Sequence, residues 1–111
     1  MNIPVKSLPT NLTSRYHGWK ATGFQENKAW YARLAEDGQH PRGMIISCCD
    51  SRVHATSIFG ADTGDFFIHR NIANLVPPYA PDENYHGTSA AVEYAVTALG
   101  ITNLIVMGHT L

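Results

Sequence analysis

Four residues of this 111-residue chain could do chemistry together: Cys48, Asp50, Arg52 and His109. Cys48 closes the apolar run Met44-Ile45-Ile46-Ser47, and His109 closes a second run, Leu104-Ile105-Val106-Met107-Gly108. Zinc accepts a thiolate and a neutral imidazole together, usually in tetrahedral geometry. If the two runs are neighbouring parallel strands, both donors meet at one sheet edge. Taken singly, each has an ordinary reading: a cysteine after an apolar strand packs as a small hydrophobe, and a histidine is a satisfied polar group. Asp50 and Arg52 could be a surface ion pair. Beside a metal ligand, however, an ionised carboxylate can accept a hydrogen bond from water at the metal, and a neighbouring arginine keeps it charged and oriented. Cys49 should point away from Cys48 by strand alternation, and reads as packing or an oxidation-sensitive thiol.

The elements around these residues follow a β–α order. The first twenty or so residues, broken by Pro4, Pro9, Gly18 and Gly23, read as an extended arm. A helix is expected from about Gln25 to Asp37, with Tyr31, Leu34 and Ala35 as its buried stripe and Gly38 as its stop. Met44–Ser47 lacks polar alternation and suits a fully buried strand. Asp65–Arg70, rich in aromatic and β-branched residues, is a second strand. A loop follows through Val76-Pro77-Pro78-Tyr79 and Pro81-Asp82-Glu83-Asn84. The clearest helix is Thr88–Leu99, where Val92, Ala95, Val96 and Leu99 recur at helical spacing before Gly100. Leu104–Gly108 closes the series and reads as a strand bound for the middle of a sheet.

Strand, helix, strand, helix, strand is the signature of an α/β domain with a parallel sheet flanked by helices. Ligands in such folds bind outside the carboxyl ends of the strands, which is where Cys48 and His109 stand. The last strand has no covering helix after it, so packing leads one to expect a chain cut short inside a longer domain, incomplete at its C-terminus.

Composition narrows the partners. A formal net charge of −1 argues against nucleic acid or an anionic membrane, both of which demand a basic face. No apolar run nears the roughly 20 residues of a membrane span, and the start has no apolar leader segment. Two adjacent cysteines with no third make poor disulfide partners, so a reducing, cytoplasmic setting is expected. They also lack the C-x-x-C spacing of redox pairs, and no glycine-rich phosphate loop follows the first strand.

Cys48-Cys49-Asp50-Ser51-Arg52-Val53, then His69-Arg70-Asn71-Ile72-Ala73-Asn74-Leu75-Val76, then Gly108-His109-Thr110 resemble, in order, the motifs of the β-class carbonic anhydrases. The first carries the C-x-D-x-R signature, and the last looks like the opening of G-H-x-x-C-G-G. His86 to Val96 looks like the plant-type branch. The resemblance covers about Gln25 to Leu111. With residues 1–24 read as the arm, it implies that 25–111 is the N-terminal portion of one such domain. It also implies zinc-dependent reversible hydration of carbon dioxide to bicarbonate and a proton.

By the same resemblance Cys48 and His109 match two of three zinc ligands, and the third, a cysteine, is expected just beyond Leu111. Asp50 and Arg52 match the family's dyad: Asp50 orients water at the metal in open sites and rotates onto the zinc in closed ones. Gln39 matches an amide that hydrogen-bonds bicarbonate, while Phe67, Ile72 and Tyr94 match the apolar cleft. The family assembles as homodimers or higher homo-oligomers, so Gln39, Phe67 and Tyr94 are expected to serve a neighbour's zinc; two aromatics on buried elements would otherwise read as core. With two protein donors, the 111-residue chain itself is expected to bind zinc weakly, expose apolar surface and show little hydratase activity. The alternatives are a same-fold hydrolase of carbon disulfide or carbonyl sulfide, and a non-catalytic zinc-binding homologue. His40, His54 and His86 titrate in the range of a proton shuttle, but nothing in the sequence brings one to the cleft.

Overall fold

The computed structural model describes residues 3–80, 84 and 86–110. Most of the loop expected at Pro81–Asn84, together with Leu111, lies outside the described residues. The chain divides into two compact units, one ending at Gly38 and the other beginning at Gln39.

The first unit is helical. It comprises α1 (Thr10–Ala21), α2 (Gly23–Glu26) and α3 (Lys28–Asp37). The extended arm expected for this stretch is therefore corrected: among the described residues, only 3–9 precede helix. Pro9 sits at the N-cap of α1 rather than inside it, where its missing N–H costs nothing. Gly18 is tolerated mid-helix at about 1 kcal/mol relative to alanine. Aromatic contacts offset that cost. The Trp19 ring lies 5.5 Å from Phe24 and 6.0 Å from Tyr31, and Phe24 stacks on Tyr31 at 5.6 Å. Gly38, with φ of 76°, ends α3 as expected. Of the expected buried stripe, Tyr31 and Leu34 are half-buried and Ala35 is exposed.

The second unit is built on a three-stranded parallel sheet: β1 (Gly43–Cys48), β2 (Phe66–Asn71) and β3 (Leu104–Met107), in the order β2-β1-β3. All six residues of β1 are buried, as its unbroken apolar run required. Met44 and Ile46 pack on one face with Ala95 and Ile101, joined by Phe67, Val92 and Leu99. Ala55 is also fully buried, in the single turn α4 (Ala55–Ile58).

The last helix departs from expectation in its second half. α5 runs Gly87–Glu93 and then widens into a π-helical turn over Tyr94–Ala98. The Leu99 N–H donates to Tyr94 O, five residues back, and the Thr97 hydroxyl donates to Glu93 O. Widening rotates the apolar stripe: Ala95 stays buried while Val96 is 52% exposed. Gly100, at φ 64°, then lets the Ile101 N–H reach Ala95 O, six residues back, one residue wider than the closing bond of an ordinary glycine helix stop.

A second correction concerns β3. Expected mid-sheet, it pairs only with β1 among the described residues. Leu104, Ile105 and Val106 are 42%, 40% and 49% exposed. The middle place belongs to β1, because both β2 and β3 pair with it.

Candidate metal centre

The register of the sheet decides which side chains meet. Ser47 pairs with Met107, so Cys48 lies opposite Gly108, and His109 follows one residue later. On its other side Cys48 pairs with Asn71. The carboxyl ends of all three strands therefore converge at Cys48.

Cys48 is almost fully buried, and its thiol is pulled from an ordinary 9.0 down to about 7. A hydrogen bond with the His109 side chain is the main cause, followed by backbone donors at Asp50 and Ala73. His109 is pushed upward in turn, chiefly by the Cys48 sulfur and then by the Thr110 backbone. Its Nδ1 stands 2.7 Å from Thr110 O. A carbonyl only accepts, so Nδ1 carries the proton and Nε2 is the atom left to face the sulfur. Anchoring one imidazole nitrogen on a carbonyl is how proteins orient a metal-binding histidine.

Asp50 and Arg52 form a closed unit beside this pair. Arg52 Nη2 lies 2.7 Å from Asp50 Oδ2, while Arg52 Nε and backbone N–H donate to Oδ1 at 3.0 and 2.8 Å. That arginine holds the Asp50 carboxyl well below the usual carboxylate range. Arg52 is otherwise open to solvent, with 69% of its side chain exposed against 20% for Asp50. The carboxylate is thus turned to Arg52. Among the described residues, no group of three or more histidine, cysteine or acidic side chains is placed to hold a metal. The donors fit zinc in type, and two of them stand together.

The remaining candidates do not gather there. Phe67 pairs with Met44, four residues and about 13 Å along the strand from Cys48 at ~3.3 Å per residue. Tyr94 is 48% exposed and its ring lies 5.8 Å from that of Phe67. Gln39 is exposed and precedes the amino end of β1. Ile72 alone stays near: it opens the short 3₁₀ turn Ile72–Asn74, is 74% exposed and lines a groove with Leu75, Val76 and Pro77. His40, His54 and His86 are exposed. Cys49 is exposed too, so the packing alternative for it is withdrawn.

Sequence reasoning missed Arg70. Its guanidinium donates from Nε to Cys48 O at 2.9 Å, and from Nη2 to Asp50 O at 2.8 Å and Val53 O at 2.6 Å. One side chain thus satisfies three carbonyls of the segment that carries Cys48, Asp50 and Arg52. The available signal was an arginine inside a strand, where a long cation needs several acceptors. His69, next to it, hydrogen-bonds Thr88 Oγ1 at 2.9 Å.

Comparison with known proteins bears on this geometry. Residues 43–111 match the family model described as carbonic anhydrase. The chain is 39% identical over 102 residues to "Beta carbonic anhydrase 5, chloroplastic" of Arabidopsis thaliana, covering 90% of this chain and 32% of that protein. Among solved structures, the β-carbonic anhydrase CcaA superposes with a TM-score of 0.83 at 37% identity, over 90% of this chain and 44% of that one. A second match, with a TM-score of 0.76 at 37% identity, is to tetrameric β-carbonic anhydrases of the ascomycete Sordaria macrospora, over 90% of this chain and 48% of that one. The chain spans about a third of the length of that curated relative. No helix among the described residues is long and apolar enough to cross a membrane.

Proposed function

The chain belongs to the β-carbonic anhydrase family, and from that membership we propose that it supplies part of a zinc site for reversible hydration of carbon dioxide to bicarbonate and a proton. The observation that carries this reading is the meeting of Cys48 and His109 at the ends of adjacent parallel strands, with the Asp50–Arg52 pair beside them. Zinc held by Cys48 and His109 would supply a Lewis acid able to bring the pKa of a water to about 7.

The protein's own residues do the rest. Asp50, kept ionised by Arg52, accepts a hydrogen bond from the attacking water and so aims a lone pair at the carbon. Arg52 neutralises the carboxylate and fixes its orientation. Asp50 is also the group that would exchange onto the metal in a closed state. Ile72 offers an apolar wall suited to a nonpolar substrate. Gln39, Phe67 and Tyr94, set toward the amino end of β1, serve a neighbouring copy's site: Gln39 binds bicarbonate and the two rings line its cleft. The functional assembly is therefore a homodimer or a higher homo-oligomer, in a reducing compartment such as the cytoplasm.

Two protein donors hold zinc less securely than three. The chain by itself binds zinc weakly, and turnover requires a third donor from outside these 111 residues. The test is a zinc titration of the wild-type chain, Cys48→Ser and His109→Ala against a chromophoric chelator, paired with stopped-flow carbon dioxide hydration. Weak one-to-one binding, lost in both variants and kept in Cys49→Ser, is expected. Binding that survives loss of Cys48 or His109 would overturn the assignment.

A further inference from the structure

Two consecutive residues other than glycine, Ala73 and Asn74, adopt left-handed backbone, at φ 63° and 48°. Such conformations cost energy for side chains with a Cβ and persist only where the surroundings over-determine them. Here the surroundings are Asn71. Its Oδ1 accepts the Leu75 N–H at 2.9 Å, and its Nδ2 donates to Leu75 O at 2.7 Å, so one side chain clasps both ends of the turn. The same Nδ2 reaches Thr88 Oγ1 at 3.1 Å, a hydroxyl already bonded to His69. The turn is thereby tied to β2 and to the start of α5.

The strained turn points at both ligand-bearing strands. The Ala73 N–H donates to Cys48 Sγ at 3.4 Å. The Asn74 side-chain oxygen lies 3.6 Å from where a Cβ on Gly108 would stand, immediately before His109. A relaxed turn would carry the Ala73 amide elsewhere and leave the sulfur without this donor. We propose that Asn71 is a positioning residue: by clasping the left-handed turn at Ala73–Asn74 it holds the Ala73 N–H on the Cys48 sulfur and so sets how that sulfur presents itself to a metal. The metal half of this inference rests on the zinc reading above; the brace itself does not.

The experiment has two arms, both on the full chain. In the first, metal-free amide hydrogen exchange is followed by NMR for the wild type, Asn71→Ala, and the near-isosteric Asn71→Asp, which keeps the acceptor for Leu75 but loses the Nδ2 donors. Ala73 exchange is expected to accelerate at least about ten-fold in Asn71→Ala and less in Asn71→Asp, with the β1 amides unchanged. Equal Ala73 exchange in all three chains overturns the proposal, and so does acceleration spread evenly over β1.

In the second arm cadmium is titrated while the ultraviolet sulfur-to-metal band is recorded. Outer-sphere partners of metal ligands typically matter by about 10- to 100-fold in affinity. Asn71→Ala is expected to weaken binding about ten-fold and shift the band. Ala73→Gly, which removes the strain but keeps the N–H, is expected to retain both. A wild-type band with unchanged affinity and position in Asn71→Ala overturns the proposal. Absence of any band in the wild type instead overturns the metal reading, and the exchange arm still decides the brace.

Discussion

His109 faces Cys48 across two adjacent parallel strands, although 60 residues lie between them in the chain. The pairing of Ser47 with Met107 brings the two side chains together, and each perturbs the other: the thiol is drawn down to about 7 and the imidazole is pushed up. The electrostatics of the centre are therefore a property of the sheet register and of neither strand alone.

The reactivity of Cys48 should report that coupling. Thiolate is the nucleophile, so the rate of Cys48 alkylation, read by peptide mass against Cys49, is expected to rise with pH through a midpoint near 7. His109→Ala should move the midpoint up toward an ordinary thiol. The linkage has a definite sign. Lowering the folded pKa of Cys48 favours the native state fully above the unfolded value of 9.0, and that contribution fades as pH falls toward 7. His109, raised in the folded state, acts oppositely and loses its contribution as pH rises through its folded pKa.

Asp50→Asn tests the dyad. Its partner Arg52 is largely solvated, so the pair contributes little to folding, and the melting temperature is expected to stay near the wild type. On the proposed reading, hydration by the zinc-loaded assembly completed by a third donor should fall about 10²-fold or more, the usual range for loss of a group that handles a proton in the reaction. Stopped-flow with a pH indicator reads the rate. Carboxyl carbon shifts should show Asp50 ionised well below the ordinary carboxylate range, because Arg52 holds it there.

Neighbouring core positions on β1 should respond with opposite signs. Ile46 is fully buried in the main cluster, and Ile46→Ala is expected to cost about 2–5 kcal/mol through lost burial and a residual cavity. Ser47 is equally buried, yet its hydroxyl has no hydrogen-bond partner among the described residues. Ser47→Ala removes an unsatisfied group and is expected to be neutral or stabilising by up to about 1 kcal/mol. Urea unfolding midpoints of the two variants give the comparison.

The outer edge of β3 should make the isolated chain associate. Leu104, Ile105 and Val106 are each 40% or more exposed, on a strand paired on one side only among the described residues. Exposed, apolar strand edges template further pairing. Sedimentation velocity is expected to show concentration-dependent association, reduced in Ile105→Lys. Equal behaviour of the two chains would place the sticky surface elsewhere.

Much of the fold was legible in local chemistry. The unbroken apolar runs at 44–47 and 104–107 announced strands of a parallel sheet, Gly38 and Gly100 announced helix stops, and the helical spacing of Val92, Ala95 and Leu99 announced a packed helix. Cys48, Asp50, Arg52 and His109 stood out because their types and places at strand ends are chemically unusual. These signals lie within a few residues of one another, and backbone geometry turns them directly into structure.

Tertiary structure decided the rest, because each remaining feature depends on groups distant in sequence. Strand order put β1 rather than β3 in the middle and brought His109, one residue past the position opposite Cys48, beside the thiol. An aromatic cluster of Trp19, Phe24 and Tyr31 accompanies helix where an arm was expected, with Gly18 inside it and both prolines left before it. The π turn rotated Val96 outward through a bond that helical periodicity does not anticipate. Arg70 and Asn71 acquired their roles only when the ends of β1 and β2 met, since a hydrogen-bonding fork has no meaning until its carbonyls arrive. Residue types at strand ends named the chemistry; register brought the atoms into contact.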